Sequence, residues 1–162
     1  MRALGSRSRG SGRVYLTGGA TALLHGWREM TADIDIKLDP EPLGAFEAIA
    51  KLKNELDMNV ELASPDLFIP PVPGWRQRSL FITREWDVEF YHFDPLSQAL
   101  AKLSRGYERD VSDVHAMLAE GLFRRESLVE ALESIESDLI RYPGLDAHRF
   151  RQRVMNFVGG GE

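Results

Sequence analysis

Leu16-Thr17-Gly18-Gly19 and Asp33-Ile34-Asp35-Ile36 decide how this chain is read, with the thirteen residues Ala20 to Ala32 between them. Val14 to Thr17 is a short apolar run that breaks at the two glycines, the pattern of a buried strand. Ala20 to His25 is helix-permissive, with Leu23 and Leu24 for a core and Gly26 as its stop. Ala32 to Leu38 then alternates strictly. Asp33, Asp35 and Lys37 fall on one face, and Ile34, Ile36 and Leu38 on the other, as in a half-buried strand.

The acid pair is the chemically informative part. Residues i and i+2 of a strand project from the same face. Two carboxylates about 5 Å apart repel by about 3 kcal/mol at an effective dielectric near 20. Keeping both there, between core isoleucines, calls for a cation. Mg²⁺, held by one or two carboxylates and by substrate phosphates, is the natural one. Two such ions can clamp the attacking and leaving oxygens of a phosphoryl displacement. Glycines after a strand and before a helix let backbone approach a ligand closely, and free N–H groups suit phosphate. Arg28 and Thr31, on the connection, can add phosphate contacts. Taken alone, Asp-x-Asp reads as a solvated sheet face and Gly-Gly as a turn; their succession points to a nucleotide site.

Outward from this centre, Pro42 to Leu56 is expected as an amphipathic helix and Asn59 to Ala63 as a short strand. Pro65 to Gly74 holds four of the eight prolines and is expected to be irregular. Ser79 to Thr83 and Trp86 to Phe93 read as a hairpin. Asp94-Pro95 opens a helix, with Asp as N-cap and Pro at the first helical position. Helices are expected over 95–105, 109–120, 126–141 and 146–158, punctuated by Gly106, Gly121 and Pro143-Gly144. The order predicts an α/β (α+β) chain. A basic, flexible leader (1–12) precedes an α/β core with a mixed sheet (13–94), and a small helical bundle (95–162) packs on that core.

Composition narrows the classes. At 162 residues, 43% hydrophobic and 28% charged, the chain suits one globular domain with a helical annex. It has no cysteine, which removes disulfides, thiolate metal sites and cysteine nucleophiles; a reducing, cytoplasmic setting fits. No apolar run approaches a membrane span, and no apolar stretch follows the basic N-terminus as a signal peptide requires. Residues 1–28 carry five arginines and no acid, which leaves the remainder at −10 against the overall −5. A basic arm on an acidic body raises the question of phosphate-bearing partners. His25, His92, His115 and His148 show no metal-ligand spacing, and Trp27, Trp75 and Trp86 suit packing first and base stacking second. Arg149, Arg151 and Arg153 read as a solvated face, or as an RNA-backbone contact. No P-loop, dinucleotide fingerprint or Ser-His-Asp signal is present.

The glycine pair followed by Asp33-Ile34-Asp35-Ile36 resembles the signature of the nucleotidyltransferase superfamily of DNA polymerase β type. The run Ala20-Thr21-Ala22-Leu23-Leu24-His25-Gly26 is similar to the AbiEii and MenT-type toxins and their relatives. So is the stretch Leu96 to Val114, with Lys102, Gly106 and then Arg109-Asp110-Val111-Ser112-Asp113. The resemblance covers residues 14 to about 118 and implies a nucleotidyltransferase-like fold. It implies that Asp33 and Asp35 hold Mg²⁺ or Mn²⁺, and that Gly18, Gly19, Lys102 and Arg109 seat the phosphates of an NTP such as ATP. Asp110 or Asp113 would complete the site; read from spacing alone, Arg109, Asp110 and Asp113 lie one helical turn apart and equally suit a local ion-pair network. Thr17 or Thr21 would stand in for the serine of a Gly-Ser form. The superfamily expects a third carboxylate on a later strand. Glu89, between Val88 and Phe90, is the preferred candidate for metal binding and for deprotonating the acceptor; Asp87 is the alternative. The toxin branch implies RNA, tRNA in particular, as acceptor and a DNA-binding antitoxin as partner. An aminoglycoside-like small molecule or a protein acceptor, and a non-catalytic nucleotide- or partner-binding module, are the other readings.

Overall fold

The alternation over residues 32–38 becomes strand β2 (Asp33–Leu38) in the computed structural model of the chain, which describes residues 1–160. β2 runs antiparallel to β1 (Gly12–Thr17) and parallel to β3 (Asn59–Leu62). On its other side β1 pairs in parallel with β5 (Val88–His92), which forms a hairpin with β4 (Leu80–Glu85). The five strands make one mixed sheet in the order β3-β2-β1-β5-β4. The hairpin turn needs a left-handed residue, and Trp86 supplies it at φ 56°.

This sheet belongs to one of two units into which the chain divides, Met1–Ser64 with Ser79–Phe93. One sheet face carries the apolar half of the alternation. Val14 and Leu16 of β1, Ile36 of β2, and Val88 and Phe90 of β5 are buried together. Over them lie Ala48, Ile49 and Leu52 of α3 (Ala45–Leu56), and Leu4 of α1 (Arg2–Arg7). Each of these Val, Leu, Ile and Phe side chains, taken fully out of water, stabilises the fold by roughly 1.5–3 kcal/mol.

Two expectations are corrected in this unit. Residues 2–7 are helical, where a solvated leader was expected. Leu4 is buried, and Gly5 lets α1 approach β4 so closely that a Cβ there would stand 2.6 Å from the Glu85 carbonyl oxygen. Arg7 donates to Glu55 of α3 at 2.6 Å. The helix expected from Pro42 begins only at Ala45, because Gly44 adopts φ 78° and holds residues 42–44 in a turn. Between β1 and β2 lies α2 (Gly18–Leu24), which starts at the diglycine itself.

The other unit comprises Pro65–Arg78 and the chain from Asp94 onward. It contains α4 (Trp75–Arg78), α5 (Pro95–Arg105), α6 (Glu108–Ala119), α7 (Arg125–Ile135) and α8 (Ala147–Val158). Asp94 caps α5 as its sequence predicts, accepting from the backbone N–H groups of Leu96 and Ser97, both at 3.2 Å. Arg78 makes a two-pronged ion pair with the same carboxylate at 3.0 and 2.8 Å. Helix α5 packs against α6, α7 and α8, and every residue from Pro95 to Ser104 is buried. The helix expected over 126–141 is α7 only as far as Ile135; residues 136–141 wind into a tighter 3₁₀ turn. Gly106, at φ 69°, ends α5 and turns the chain into α6.

Candidate functional site

Asp33 and Asp35 share the polar face of β2. Asp35 faces Thr17 across the antiparallel β1–β2 pair, so it stands at the point where β1 gives way to the diglycine. Gly18 adopts φ 59°, and a Cβ on it would lie 2.5 Å from the Asp35 carboxylate. Two facts therefore demand glycine there: a left-handed backbone, and a carboxylate in the space a side chain would fill. A Cβ on Gly19 would collide with the Thr31 hydroxyl and stand 3.7 Å from the Arg28 guanidinium. Asp35 and the Thr31–Arg28 connection thus enclose the diglycine.

Two of the three candidate hydroxyls are engaged with backbone. Thr21 is buried and donates to the Leu16 carbonyl at 3.1 Å, holding α2 onto β1. Thr31 donates to the Asp33 carbonyl at 2.9 Å, pinning the entry to β2. Thr17 is also buried.

Asp33 accepts from the Asn59 side-chain amide at 2.7 Å, and the same amide donates to Glu61 at 2.7 Å. Asn59 and Glu61 lie on β3 in register with Asp33 and Asp35 respectively, so all four side chains share one sheet face. The Asn59 N–H₂ group sits between two carboxylates and offsets part of their repulsion. Sequence reading overlooked both residues. The signal was present, because Asn59-Val60-Glu61-Leu62 alternates as β2 does and sets Glu61 between two apolar neighbours.

The preferred third carboxylate does not join this group. Glu89 is in register with Arg13 on β1, while Asp35 is in register with Thr17. Four residues of strand separate those positions, roughly 13 Å. Glu89 instead accepts from Arg13 at 3.1 Å and from the Tyr91 hydroxyl at 3.0 Å. The Arg13 hydrogen bond, then that of Tyr91, holds its carboxyl below the usual range. Burial, with the Glu89 hydrogen bond second, pushes Tyr91 above the usual phenol value. Asp87 is exposed in the hairpin turn, where its carbonyl accepts from Gly12. Strand order, not local pattern, decides which acid stands beside β2.

Lys102, Asp110, Asp113 and Arg109 belong to the helical unit. Lys102 of α5 donates to Asp113 of α6 at 2.6 Å and lies 3.5 Å from Asp110, with both ends of the Lys102–Asp113 pair about 5% exposed. Arg105 clasps Asp110 through two hydrogen bonds of 3.0 and 2.9 Å. Arg109 is exposed on α6. The three buried residues form a desolvated ion network joining two helices across Gly106.

Among the described residues, no three His, Cys, Asp or Glu side chains are arranged to enclose a metal ion by themselves. No helix among them is long and apolar enough to cross a membrane. No curated protein and no solved structure matches the chain. A family model does, over residues 2–158, a span that takes in the diglycine, the Asp33–Asp35 strand and the helices alike. The chain therefore belongs to the family DUF6036, described as a nucleotidyltransferase of unknown function.

Proposed function

We propose that this protein is a Mg²⁺- or Mn²⁺-dependent nucleotidyltransferase that moves a nucleoside monophosphate from an NTP to an acceptor hydroxyl, releasing pyrophosphate. The observation that carries the reading is the placement of Asp33 and Asp35 on one face of β2, with the Asp35 carboxylate over Gly18. The donor set suits a hard divalent cation. It is all oxygen, and such ions take one or two carboxylates and complete their shell from substrate phosphates. When bound, the ion neutralises charge on the reacting phosphate.

The chain's own residues have separate tasks in this reading. Asp33 and Asp35 hold the cation. Asn59 fixes Asp33 in place and sets its spacing from Glu61. Glu61, in register with Asp35, takes the role first expected of Glu89, accepting the proton of the attacking hydroxyl. Gly18 and Gly19 allow backbone to approach the triphosphate, and Arg28 beside Gly19 supplies positive charge. Catalysis is then positioning and charge neutralisation, with little covalent work for the protein. The resemblance to AbiEii and MenT-type toxins supports RNA, tRNA in particular, as acceptor, and a toxin role opposed by a DNA-binding antitoxin. Incubation with each α-labelled NTP, Mg²⁺ and total RNA tests the reading. Labelled RNA with stoichiometric pyrophosphate supports it; no label in RNA, protein or small acceptors contradicts it.

A further inference from the structure

The helical unit carries a groove of about 450 Å³ that the transfer chemistry does not use. Its walls include Phe68, the end of α5 at Arg105, the entry to α6 at Tyr107, and the segment from Arg141 to Leu145. The volume is in the range of sites for nucleotide-sized ligands. Three features of the lining point to one kind of occupant.

The first is aromatic surface left in water. Tyr107 is 68% exposed and Phe68 39% exposed. The second is fixed positive charge. The Arg105 guanidinium lies 5.1 Å from the centre of the Phe68 ring and is held there by its two hydrogen bonds to Asp110. Arg141 adds a second guanidinium, 77% exposed and 3.5 Å from Asp138. The third is that, among the described residues, no acidic side chain lines the groove, in a chain with net charge −5. Tyr142 steadies the wall by donating to the Asp66 carbonyl at 2.9 Å.

An apolar peptide would have no use for two guanidiniums, and a small anion none for the rings. Bases stack on exposed rings and phosphates pair with arginine, which is how single strands are held without sequence preference. We propose that this groove binds a single-stranded nucleic acid, with a base on Tyr107 or Phe68 and the backbone phosphate at Arg141. Its use as a holding site for the acceptor strand rests on the transferase reading; the binding does not.

Fluorescence anisotropy of a short fluorescein-labelled single-stranded RNA, titrated with the full chain, tests this. The wild-type protein binds at low salt and weakens as salt rises. Tyr107→Ala weakens binding about tenfold, the scale of one lost base stack. Arg141→Ala weakens it and lowers the slope of log K against log salt by about 0.7, one phosphate contact on a single strand. Both residues are exposed, and circular dichroism confirms that the variants fold. Asp35→Asn binds like the wild type, which separates this proposal from the transfer reading. Absence of binding by the wild type, unaltered binding by both groove variants, or displacement of the RNA by polyglutamate at equal charge would overturn it. The last result would mark the groove as a site for an acidic protein.

Discussion

Asn59 donates its side-chain amide to the Asp33 carboxylate at 2.7 Å, joining the first residue of β3 to the first of β2. Through the same nitrogen it holds Glu61, so one neutral side chain spaces two acids that would otherwise repel. Removing a residue that orients a ligating carboxylate costs about 10- to 100-fold in activity or metal affinity. Asn59→Leu should lose turnover on that scale while keeping the far-UV circular dichroism of the wild type. Glu61→Gln should lose about a hundredfold or more if Glu61 takes the acceptor proton. Glu89→Gln should keep near-wild-type turnover, because Glu89 answers to Arg13 and Tyr91. Kinetics of the three variants side by side check the assignment. The reverse order for the two glutamates would return the role to β5.

Gly18→Ala should destabilise the fold by about 1–2 kcal/mol from its left-handed backbone alone. A further penalty should arise because the new methyl meets the Asp35 carboxylate. Gly26→Ala is the control: φ is 78°, and nothing lies within 4 Å of its Cβ position. Urea unfolding of both variants isolates the carboxylate contact as the difference between them. Turnover should fall in Gly18→Ala and persist in Gly26→Ala.

Lys102 is committed to Asp113 in a place water barely reaches. Breaking a buried pair by deleting one partner costs about 3–5 kcal/mol. Lys102→Met should fall in that range by urea unfolding, and Lys102→Met combined with Asp113→Leu should recover much of the loss. If Lys102 met only the phosphates of a bound nucleotide, the single variant would be as stable as the wild type and would lose turnover alone.

His92, at the end of β5, has its pKa pushed down to about 4 by burial and then by the neighbouring charge of His25. Their ring centres are 4.4 Å apart, and His92 Nδ1 lies 3.3 Å from the Thr21 hydroxyl. The native value lies below the unfolded value of about 6.5, so the unfolded chain binds more protons between the two. The site's contribution is whole above about pH 6.5 and is lost as pH falls through about 4. After discounting for partial exposure it is on the order of 1 kcal/mol. Urea midpoints of wild type and His92→Gln at several pH values across that window should converge as pH falls.

Local patterns made much of the fold legible. The alternation at Asp33–Leu38, the Asp94-Pro95 cap and the glycine after Arg105 each act within a few residues, and each appears where its chemistry places it. The acid pair and the diglycine were legible for the same reason. The acid that stands beside them in the sheet was not. Glu61 and Glu89 both sit between apolar neighbours on strands, and only the pairing of β3 with β2, across helix α3, decides between them. Helix α1 was hidden because its attachment rests on Leu4, the partly buried Ala3 and the close approach that Gly5 permits. The commitment of Lys102 was hidden because its partner is on the next helix, and the turn at Gly106 brings them together.

Transfer of labelled nucleotide by Asp35→Ala, compared with the wild type under identical NTP, Mg²⁺ and RNA, bears most directly on the acid pair. The wild type should label the acceptor. The variant should keep its circular dichroism spectrum and transfer nothing above background. Transfer at the wild-type rate from the folded variant would contradict the assignment of Asp33 and Asp35 as the centre of the chemistry.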